Sequence, residues 1–332
     1  MGASHMSRRA FAALVGGAVL GVAGPDAFAQ QDFPLKGKPI RIVVPFTAGG
    51  GTDAQARMVA QKLGELLATS VIVDNKPGAS TMLGASEVAR AAPDGYTVLY
   101  APSSTMAQNP HTLSQVPYDP FKDFTPISLG GRGPLVLMIA GDVPANNARE
   151  LVTYMKANAG KVSYASFGSG TSSHVYGELF LKKTGTEAVH VPYKGGSDAA
   201  KDLIGGRVQL FFDSAASAII TAGTGKVKII GIAADSRIAA LPDVPTLAEQ
   251  GIQGLDLPSW LGFYGPAKMP PQVVKTLNTA IAQALAMPQV KDFYRKGGYE
   301  AGALSPEEFG KLTRTTYDRW GGLIRELGLP KQ

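Results

Sequence analysis

Two glycine-rich segments carry the residue types best suited to bind an anion. A glycine-rich loop lies between a predicted strand and the start of a predicted helix in both VPFTAGGGTD (44–53) and YASFGSGTSS (164–173). Because glycine has no Cβ, main-chain N–H groups in such loops can approach a ligand oxygen, and the helix N-terminus adds favourable potential. Either loop alone is as well explained by an ordinary tight turn. The pair, one in each half of the chain, predicts a cleft for a small carboxylate.

The first loop also fits, loosely, the fingerprint of a dinucleotide-binding turn. Gly49, Gly51 and Ala54 match G-x-G-x-x-A, and Asp74 follows after about 20 residues. Residues 45–48, however, separate the strand from the first glycine. An NAD(P)-dependent oxidoreductase with a Rossmann-like first domain is therefore the alternative interpretation, and it ranks second.

A serine-hydrolase triad is the other catalytic alternative. Ser169, His174 and Asp213 have suitable types, but Ser169 lacks the G-x-S-x-G frame of a nucleophile elbow. The chain has no cysteine, and no two of its four histidines have the i, i+4 spacing of a helical metal site. We predict a protein that is not an enzyme, with no cofactor and no metal ion.

Other polar and aromatic residues follow predicted strands. Ser104 comes after the third strand, and Tyr193 and Asp213 come after strands of the second half. Open α/β sheets bind ligands at these carboxyl ends, although loop filling explains such residues too. Phe167 and Trp260 could add an apolar wall, or they could be ordinary core residues.

Alternating short strands and helices must position these residues. β-Branched runs alternate with amphipathic segments over 41–100 and again over 148–233, which predicts two βα units with parallel sheets. The first helix is expected at 53–69, with Asp53 as its N-cap. After a strand at 260–264 the tail carries only helices, so we expect it to pack back on the first domain.

The predicted fold class is therefore α/β, with two βα domains and a hinge that the chain crosses twice. The crossings are expected near 134–141 and 255–264. Domain 1 is predicted to be discontinuous, with residues 30–137 and 259–332, and domain 2 to comprise residues 138–258.

The amino terminus predicts export. Residues 1–6 match the remnant of a cloning tag, Arg8 and Arg9 precede an apolar stretch, and Ala27 and Ala29 fit the small-x-small cleavage pattern. We predict that 1–29 is a tag remnant plus signal peptide, and that the mature protein is periplasmic. Both the general and the twin-arginine export routes remain open.

The charge pattern argues against a nucleic-acid partner. The chain has 332 residues and a formal net charge of +6, and its 32 Lys and Arg are interspersed with 26 acidic residues. No cluster of basic residues forms the footprint that nucleic-acid binding requires. The basic residues are read as a solvated surface.

Several motifs in order resemble the Bug family, the solute receptors of tripartite tricarboxylate transporters. The motifs that show this resemblance include PIRIVVPFTAGGGTDAQAR (39–57), YASFGSGTSSH (164–174), VPYKGGSDAAKDLIGGRVQLFFD (191–213) and WLGFYGPAKMPPQVVKTLN (260–278). The resemblance implies a type II periplasmic-binding-protein fold with the ligand cleft between two domains. It also implies a membrane partner of one small and one large integral subunit, which a monomeric receptor would serve.

The motifs and the strand-end positions together give the candidate ligand-binding residues. They are Thr47, Ala48, Gly49, Gly50, Gly51, Thr52, Ser80, Ser104, Phe167, Gly168, Ser169, Gly170, Thr171, Ser172, Tyr193, Asp213 and Trp260. The expected ligand is a dicarboxylate, a tricarboxylate or an aromatic acid such as terephthalate, and the three aromatic residues of this set favour a ring.

Overall fold

The computed structural model of the protein describes residues 33–257, 259–328 and 330–332. The predicted tag remnant and signal peptide lie outside the described residues. Within the described ranges, no helix is both long and apolar enough to cross a membrane.

The strands and helices alternate along most of the chain. The strands are β1 (Ile40–Val44), β2 (Val71–Asn75), β3 (Thr97–Pro102), β4 (Phe124–Arg132), β5 (Leu135–Ala140), β6 (Ser163–Ser166), β7 (Val189–Pro192), β8 (Leu210–Ser214), β9 (Val227–Ala233), β10 (Trp260–Pro266) and β11 (Glu300–Ala301). The α-helices are α1 (Gly51–Leu67), α2 (Met82–Ala89), α3 (Asn109–Thr112), α4 (Ala148–Ala157), α5 (Ser172–Thr184), α6 (Gly196–Ile204), α7 (Ala215–Ala222), α8 (Pro271–Ala286), α9 (Pro288–Lys296) and α10 (Pro306–Leu327).

The strands form two sheets, which confirms the predicted α/β class. The first has six strands in the order β11-β4-β10-β3-β1-β2, and the second has five in the order β7-β6-β8-β5-β9. Strands β1, β2 and β3 are parallel, as are β6, β7 and β8. Each set brings its carboxyl ends, and the loops that follow them, to one edge of its sheet.

The centre of each sheet is covered on both faces. Along β1, Ile42 and Val44 pack in one hydrophobic cluster and Val43 packs in another, because successive side chains of a strand point to opposite faces. All six residues of β5 are buried. Burying one such aliphatic side chain contributes about 1.5–3 kcal/mol, so these apolar runs hold the strand ends in place.

Two strands at the first passage between the sheets were not predicted. β4 pairs with β10 in the first sheet, and β5 pairs with β8 and β9 in the second, all antiparallel. The chain thus changes sheets at residues 133–134, and it returns between Ala233 and Trp260. The predicted domain boundary after residue 137 falls inside β5, and the division into two domains remains a prediction.

The first helix begins two residues earlier than predicted. Its N-cap is Gly50, whose backbone is extended, so the prediction of Asp53 as N-cap is wrong. Asp53 lies in the first helical turn, where its carboxylate accepts a hydrogen bond from the Gly49 N–H at 2.9 Å. The side chain therefore closes the loop that precedes the helix.

The last helix contacts the cores of both sheets. Phe309 is buried among residues of the first sheet, and the Trp260 indole N–H donates to Thr316 Oγ1 at 3.1 Å. Further along α10, Trp320 and Ile324 belong to the cluster around the second sheet. The tail was expected to be wholly helical, and that expectation is wrong because β11 pairs with β4. The tail packs on the first sheet, as expected, and α10 also reaches the second.

Candidate functional site

The loop between β1 and α1 is held by one buried carboxylate. Asp53, 4% exposed, accepts hydrogen bonds from the Gly49 N–H and from the side chains of Arg57 and Asn75, each at 2.9–3.0 Å. Burial raises the pKa of Asp53, but these bonds outweigh it and leave the pKa below its usual value. The N–H of Gly49 is thereby occupied, whereas the first turn of α1 has no side-chain cap.

The second loop, between β6 and α5, is closed by bonds of its own. Gly168 N–H donates to Ser166 Oγ at 3.1 Å, Thr171 Oγ1 donates to the Gly168 carbonyl at 2.6 Å, and Gly170 N–H donates to His174 Nδ1 at 3.1 Å. The N-cap Thr171 does not cap α5 with its side chain. None of these bonds uses the N–H groups at the helix start, where the buried Ser172 lies.

A pair of stacked histidines packs next to the second loop and is hydrogen-bonded to it. The rings of His174 and His190 lie 4.1 Å apart, and His190 Nε2 is 2.7 Å from Ser166 Oγ. Burial lowers the pKa of both histidines, that of His190 to about 3. Both are neutral at pH 7, and a neutral His174 can accept the hydrogen bond from Gly170.

Two more helices begin at the same place. The N-cap of α6 is Gly195, which has no side chain, and the N-cap of α7 is Ser214, whose Oγ accepts from Ser217 N–H at 3.3 Å. A Cβ on Gly51 would lie 2.9 Å from Ser214 Oγ, and one on Gly195 would lie 2.7 Å from Thr47 Oγ1. A side chain at either glycine would therefore have to displace the neighbouring hydroxyl group of Ser214 or Thr47.

The four helix N-termini surround a small cavity of about 40 Å³, lined by Gly51 and Thr52 of α1, Ser172 of α5, Gly196 of α6 and Ser217 of α7. A helix N-terminus carries an effective charge of roughly +0.5, so each of the four termini contributes positive potential to the cavity. No Lys, Arg or His is among the described residues that line it. Its ability to hold an anion therefore rests on main-chain and hydroxyl donors.

Asp213 places an acid in this cavity. It lies on β8, it is 1% exposed, and its Oδ1 accepts from the Ser214 N–H at 2.6 Å. Its Oδ2 is buried and has no hydrogen-bond partner in the described structure. Burial raises the pKa of Asp213 to about 7, although bonds from Ser217 and Ser214 lower it.

The two sheets' loops touch each other across the cavity. Thr47 Oγ1 and Ser197 Oγ are 2.6 Å apart, and the rings of Phe46 and Phe167 meet edge to face at 5.7 Å. Thr112 Oγ1 also donates to the Gly170 carbonyl at 3.1 Å. The described conformation is closed at these points.

Eight of the predicted site residues line the cavity. They are Thr47, Gly50, Gly51, Thr52, Phe167, Ser172, Asp213 and Trp260. Phe46, Phe167 and Leu135 give the cavity apolar surface. The cavity therefore combines hydrogen-bond donors at the helix starts with an apolar wall that can contact the carbon chain of a ligand. Whether these residues bind a ligand remains a prediction.

The other predicted residues lie around the cavity rather than on its wall. They are Ala48, Gly49, Ser80, Ser104, Gly168, Ser169, Gly170, Thr171 and Tyr193. Ala48 and Gly49 are exposed, and the Tyr193 hydroxyl donates to Asp202 Oδ2 at 2.7 Å. Ser104 begins a π-helical segment, Ser104–Gln108, and its buried Oγ has no partner among the described residues.

Ser80 lies where the first half of the chain meets the second loop. A Cβ on Gly168 would lie 2.9 Å from Ser80 Oγ. Ala79, Ser80 and Thr81 all have positive φ, from 46° to 77°, which costs roughly 1–3 kcal/mol per residue. Asn109 Nδ2 donates to the Ser80 carbonyl at 2.7 Å and helps to hold this strained turn against the loop.

Several cavity residues were not predicted. Ser214 and Ser217 follow Asp213 directly, so the strand-to-helix pattern could have indicated them. Ser259 and Tyr299 also line the cavity, but each comes from a distant part of the chain with no local motif. Their position depends on the tertiary structure.

The two catalytic alternatives find no support in the geometry. His174 Nδ1 accepts from Gly170, and its Nε2 lies 3.8 Å from Glu178, so neither nitrogen is bonded to Ser169 or Asp213. Asp74, the expected ribose ligand, accepts a 2.8 Å bond from Arg41.

Comparison with known proteins identifies the type of molecule that has this arrangement. Residues 55–329 match the model of the tripartite tricarboxylate transporter family receptor. The chain resembles the solved structure of the periplasmic binding protein BugD, with 34% identity, a TM-score of 0.84, and coverage of 89% of this chain and 99% of that one.

Two further solved structures contain ligands. Rpa4515 of R. palustris, with adipate, is 31% identical with a TM-score of 0.87, over 91% of this chain and all of that one. MatC of Rhodopseudomonas palustris, with bound malate, is 29% identical with a TM-score of 0.83, over 88% of this chain and all of that one.

Proposed function

Because this chain belongs to the tripartite tricarboxylate transporter receptor family, whose members are periplasmic solute-binding proteins, we propose that it captures a small dicarboxylate and delivers it to a membrane transporter. The observation that carries the proposal is a cavity at which four helices begin and whose described lining residues include no cationic side chain. Helix N-termini that meet in this way stabilise an anion.

The donors at the helix starts suit a carboxylate group. Each N-terminus contributes roughly 0.3–1 kcal/mol for an anion, and each hydrogen bond to a charged group roughly 1.5–3 kcal/mol. Two or three such bonds would match a micromolar dissociation constant, which corresponds to about 8 kcal/mol, once apolar contacts are added. Thr52 and Ser172 can add hydroxyl donors from opposite sides of the cavity.

The walls favour an aliphatic chain over an aromatic ring. Phe167 meets Phe46 and Phe211 edge to face, at 5.7 and 5.5 Å. Trp260 packs against Phe309 at 5.3 Å on the side of α10. These contacts occupy the aromatic residues, so we place four- to six-carbon diacids ahead of terephthalate. The adipate and malate complexes of the two relatives support this order.

Entry of a ligand requires the loops to separate. One water molecule needs about 10–15 Å³ of such space, so a cavity of about 40 Å³ holds only a few waters. We propose that domain 1 (30–137 and 259–332) and domain 2 (138–258) open about the two passages between the sheets. Closure re-forms the contact between Thr47 and Ser197.

The partner follows from the family. We propose that the exported mature protein works as a monomer with a transporter of one small and one large integral subunit. A sensing role would use the same cleft.

The test is a thermal-shift and calorimetric screen of residues 30–332 against adipate, malate, terephthalate and their diamides, with NAD and NADP included. A ligand that binds only the folded state at 100 times its Kd adds about 2.7 kcal/mol of stability. We expect a shift from at least one diacid and none from its diamide. A shift from the nucleotides alone would support the oxidoreductase instead, and a response to the diamide as strong as to the acid would refute carboxylate recognition.

A further inference from the structure

Two buried acids share the cavity, and they differ in their partners. Asp53 is bonded by Gly49, Arg57 and Asn75, so it is ionised and structural. In Asp213, Oδ1 accepts from the Ser214 N–H, and the hydroxyl groups of Ser214 and Ser217 lie near enough to lower the pKa of the carboxyl group. Its buried Oδ2 has no hydrogen-bond partner among the described residues. A buried carboxylate oxygen without a donor is costly, so Oδ2 needs either a donor or a proton of its own.

The surroundings of Asp213 offer no countercharge. On α6, Asp198 and Lys201 pair with each other at 3.1 Å on the surface, and α7 has no charged residue. The neighbouring strand β5 is wholly apolar. Each of these elements packs close to the carboxyl group, and none supplies a cation.

The remaining titratable neighbours are neutral or already paired. Burial raises the pKa of Tyr299, whose ring lines the same cavity, so Tyr299 stays protonated. The lowered pKa values of His174 and His190 keep both rings uncharged near neutral pH. On α1, Asp53 is paired with Arg57.

We propose that the cavity binds its carboxylate ligand together with one proton on Asp213, so that Oδ2 donates a hydrogen bond to the ligand. The proton comes from solvent, and no covalent bond of the ligand changes. This inference deepens the proposed function and rests on it, because it assumes an anionic ligand in this cavity.

Charge repulsion gives the reason. A ligand carboxylate placed in the same small cavity adds a negative charge beside Asp213, and a like charge at close range favours the protonated form of a carboxyl group. Because burial raises the pKa of Asp213 to about 7, protonation costs little near neutral pH. Protonation also gives a hydrogen-bonding role to Oδ2, the carboxylate oxygen that has no partner among the described residues.

The coupling predicts how affinity depends on pH. Binding that takes up one proton weakens about tenfold for each pH unit above the pKa of the free carboxyl group, and it is insensitive to pH well below it. We therefore expect affinity for adipate or malate to fall between about pH 7 and pH 9, while the carboxyl groups of the ligand stay ionised throughout.

The experiment is titration calorimetry of the mature protein with adipate and malate at about pH 6 and pH 8.5, each in two buffers that differ in ionisation enthalpy. The buffer dependence of the heat counts protons. Wild type is expected to take up nearly one proton at the higher pH and far less at the lower. Asp213→Asn should bind the same acid with no uptake, and with an affinity that no longer changes with pH.

The matched control is Asp235→Asn, an exposed acid on the same half of the chain, which should retain the wild-type proton count. Binding of a diacid by wild type without proton uptake at the higher pH refutes the proposal and leaves the proposed function intact. Uptake that persists in Asp213→Asn assigns the proton elsewhere and also refutes it. If neither acid binds at any pH, the proposed function and this inference fail together.

Discussion

At the scale of single residues, Asp213 couples folding stability to pH even without a ligand. Burial raises its pKa from 3.8 to about 7, so between these values the folded protein holds a proton that the unfolded chain has released. The stability from this group is complete below the lower value and falls as pH rises through the higher one, by about 4 kcal/mol in all.

Replacing Asp213 with Asn is expected to remove this slope. Urea unfolding of wild type and Asp213→Asn between about pH 5 and pH 8 tests this expectation. Because only wild type loses the contribution of Asp213 as pH rises, the difference between the two unfolding free energies should change steadily with pH. A constant difference would show that the carboxyl group is ionised in the folded protein throughout.

The pKa of Asp53 is lowered, in contrast to that of Asp213, and its replacement should destabilise mainly the first loop. Asp53→Ala removes the acceptor of three hydrogen bonds at a position that is 4% exposed, so we expect destabilisation by about 2–4 kcal/mol. Asp94→Ala removes an exposed pair with Lys38 and an acceptor for the Tyr96 N–H, and should cost less, about 1 kcal/mol. Denaturant unfolding compares them, and equal losses would mean that Asp53 is not what holds the loop.

The sequence indicated residues of the site that belong to local strand-loop-helix patterns. Thr52 and Ser172 lie at helix starts, which the glycine and serine residues and the hydrophobic periodicity predict. Tyr299 and Ser259 could not be found in this way, because only the tertiary structure brings them to the cavity. Tyr193, which was predicted with them, lies outside the cavity wall in this conformation, and its hydroxyl donates to Asp202 on the next helix.

At the scale of elements, the contact between β7 and α5 makes the second loop sensitive to acid. The stacked pair His174 and His190 is neutral at pH 7, and the lowered pKa of His190, about 3, means that the unfolded chain takes up a proton before the folded protein does. Stability is therefore complete above about pH 6.5 and declines below it, by up to about 1 kcal/mol per pH unit after solvent screening.

His190→Gln should flatten the acid side of the stability profile while keeping a hydrogen-bonding group near Ser166. Thermal unfolding between about pH 4 and pH 7 measures the difference from wild type. If the two profiles stay parallel, the histidine pair contributes nothing to acid sensitivity.

The final helix joins the two cores, and Trp320 tests that connection. Trp320 is 1% exposed and its ring lies 6.4 Å from that of Tyr176 in the cluster of the second sheet. Trp320→Ala should cost about 3–5 kcal/mol. Exchange of amide hydrogens in β6 and β8 should speed up in this variant. Acceleration confined to the first sheet would contradict the assignment of Trp320 to the second core.

The regular βα units were predictable because their hydrophobic periodicity is strong and local. β4 and β5 were missed because they flank the passage between the sheets, where Gly133 and Pro134 signal a turn and the apolar run of β5 has no alternation. A fully buried strand shows no period of two, so its partners in the sheet, and not its own sequence, identify it.

At the scale of the whole molecule, the chain links its two sheets in three places. The chain passes from the first sheet to the second at residues 133–134 and returns before β10. In addition, α10 contacts both cores. A helix of 22 residues is about 33 Å long and resists bending. Opening of the cleft is therefore expected to be a rotation that keeps α10 in contact with both halves rather than a wide separation.

The absence of a cationic side chain from the described cavity wall has a consequence for ionic strength. Dissolved ions screen charges that face water, with a Debye length of about 10 Å at 0.1 M salt, but they screen buried main-chain dipoles far less. The affinity for a diacid should therefore change less than about threefold between about 0.02 and 0.5 M NaCl, which calorimetry can measure, whereas a tenfold loss would point to surface lysines and arginines as the true contacts. A receptor built in this way would hold its solute almost equally well in dilute and in saline surroundings.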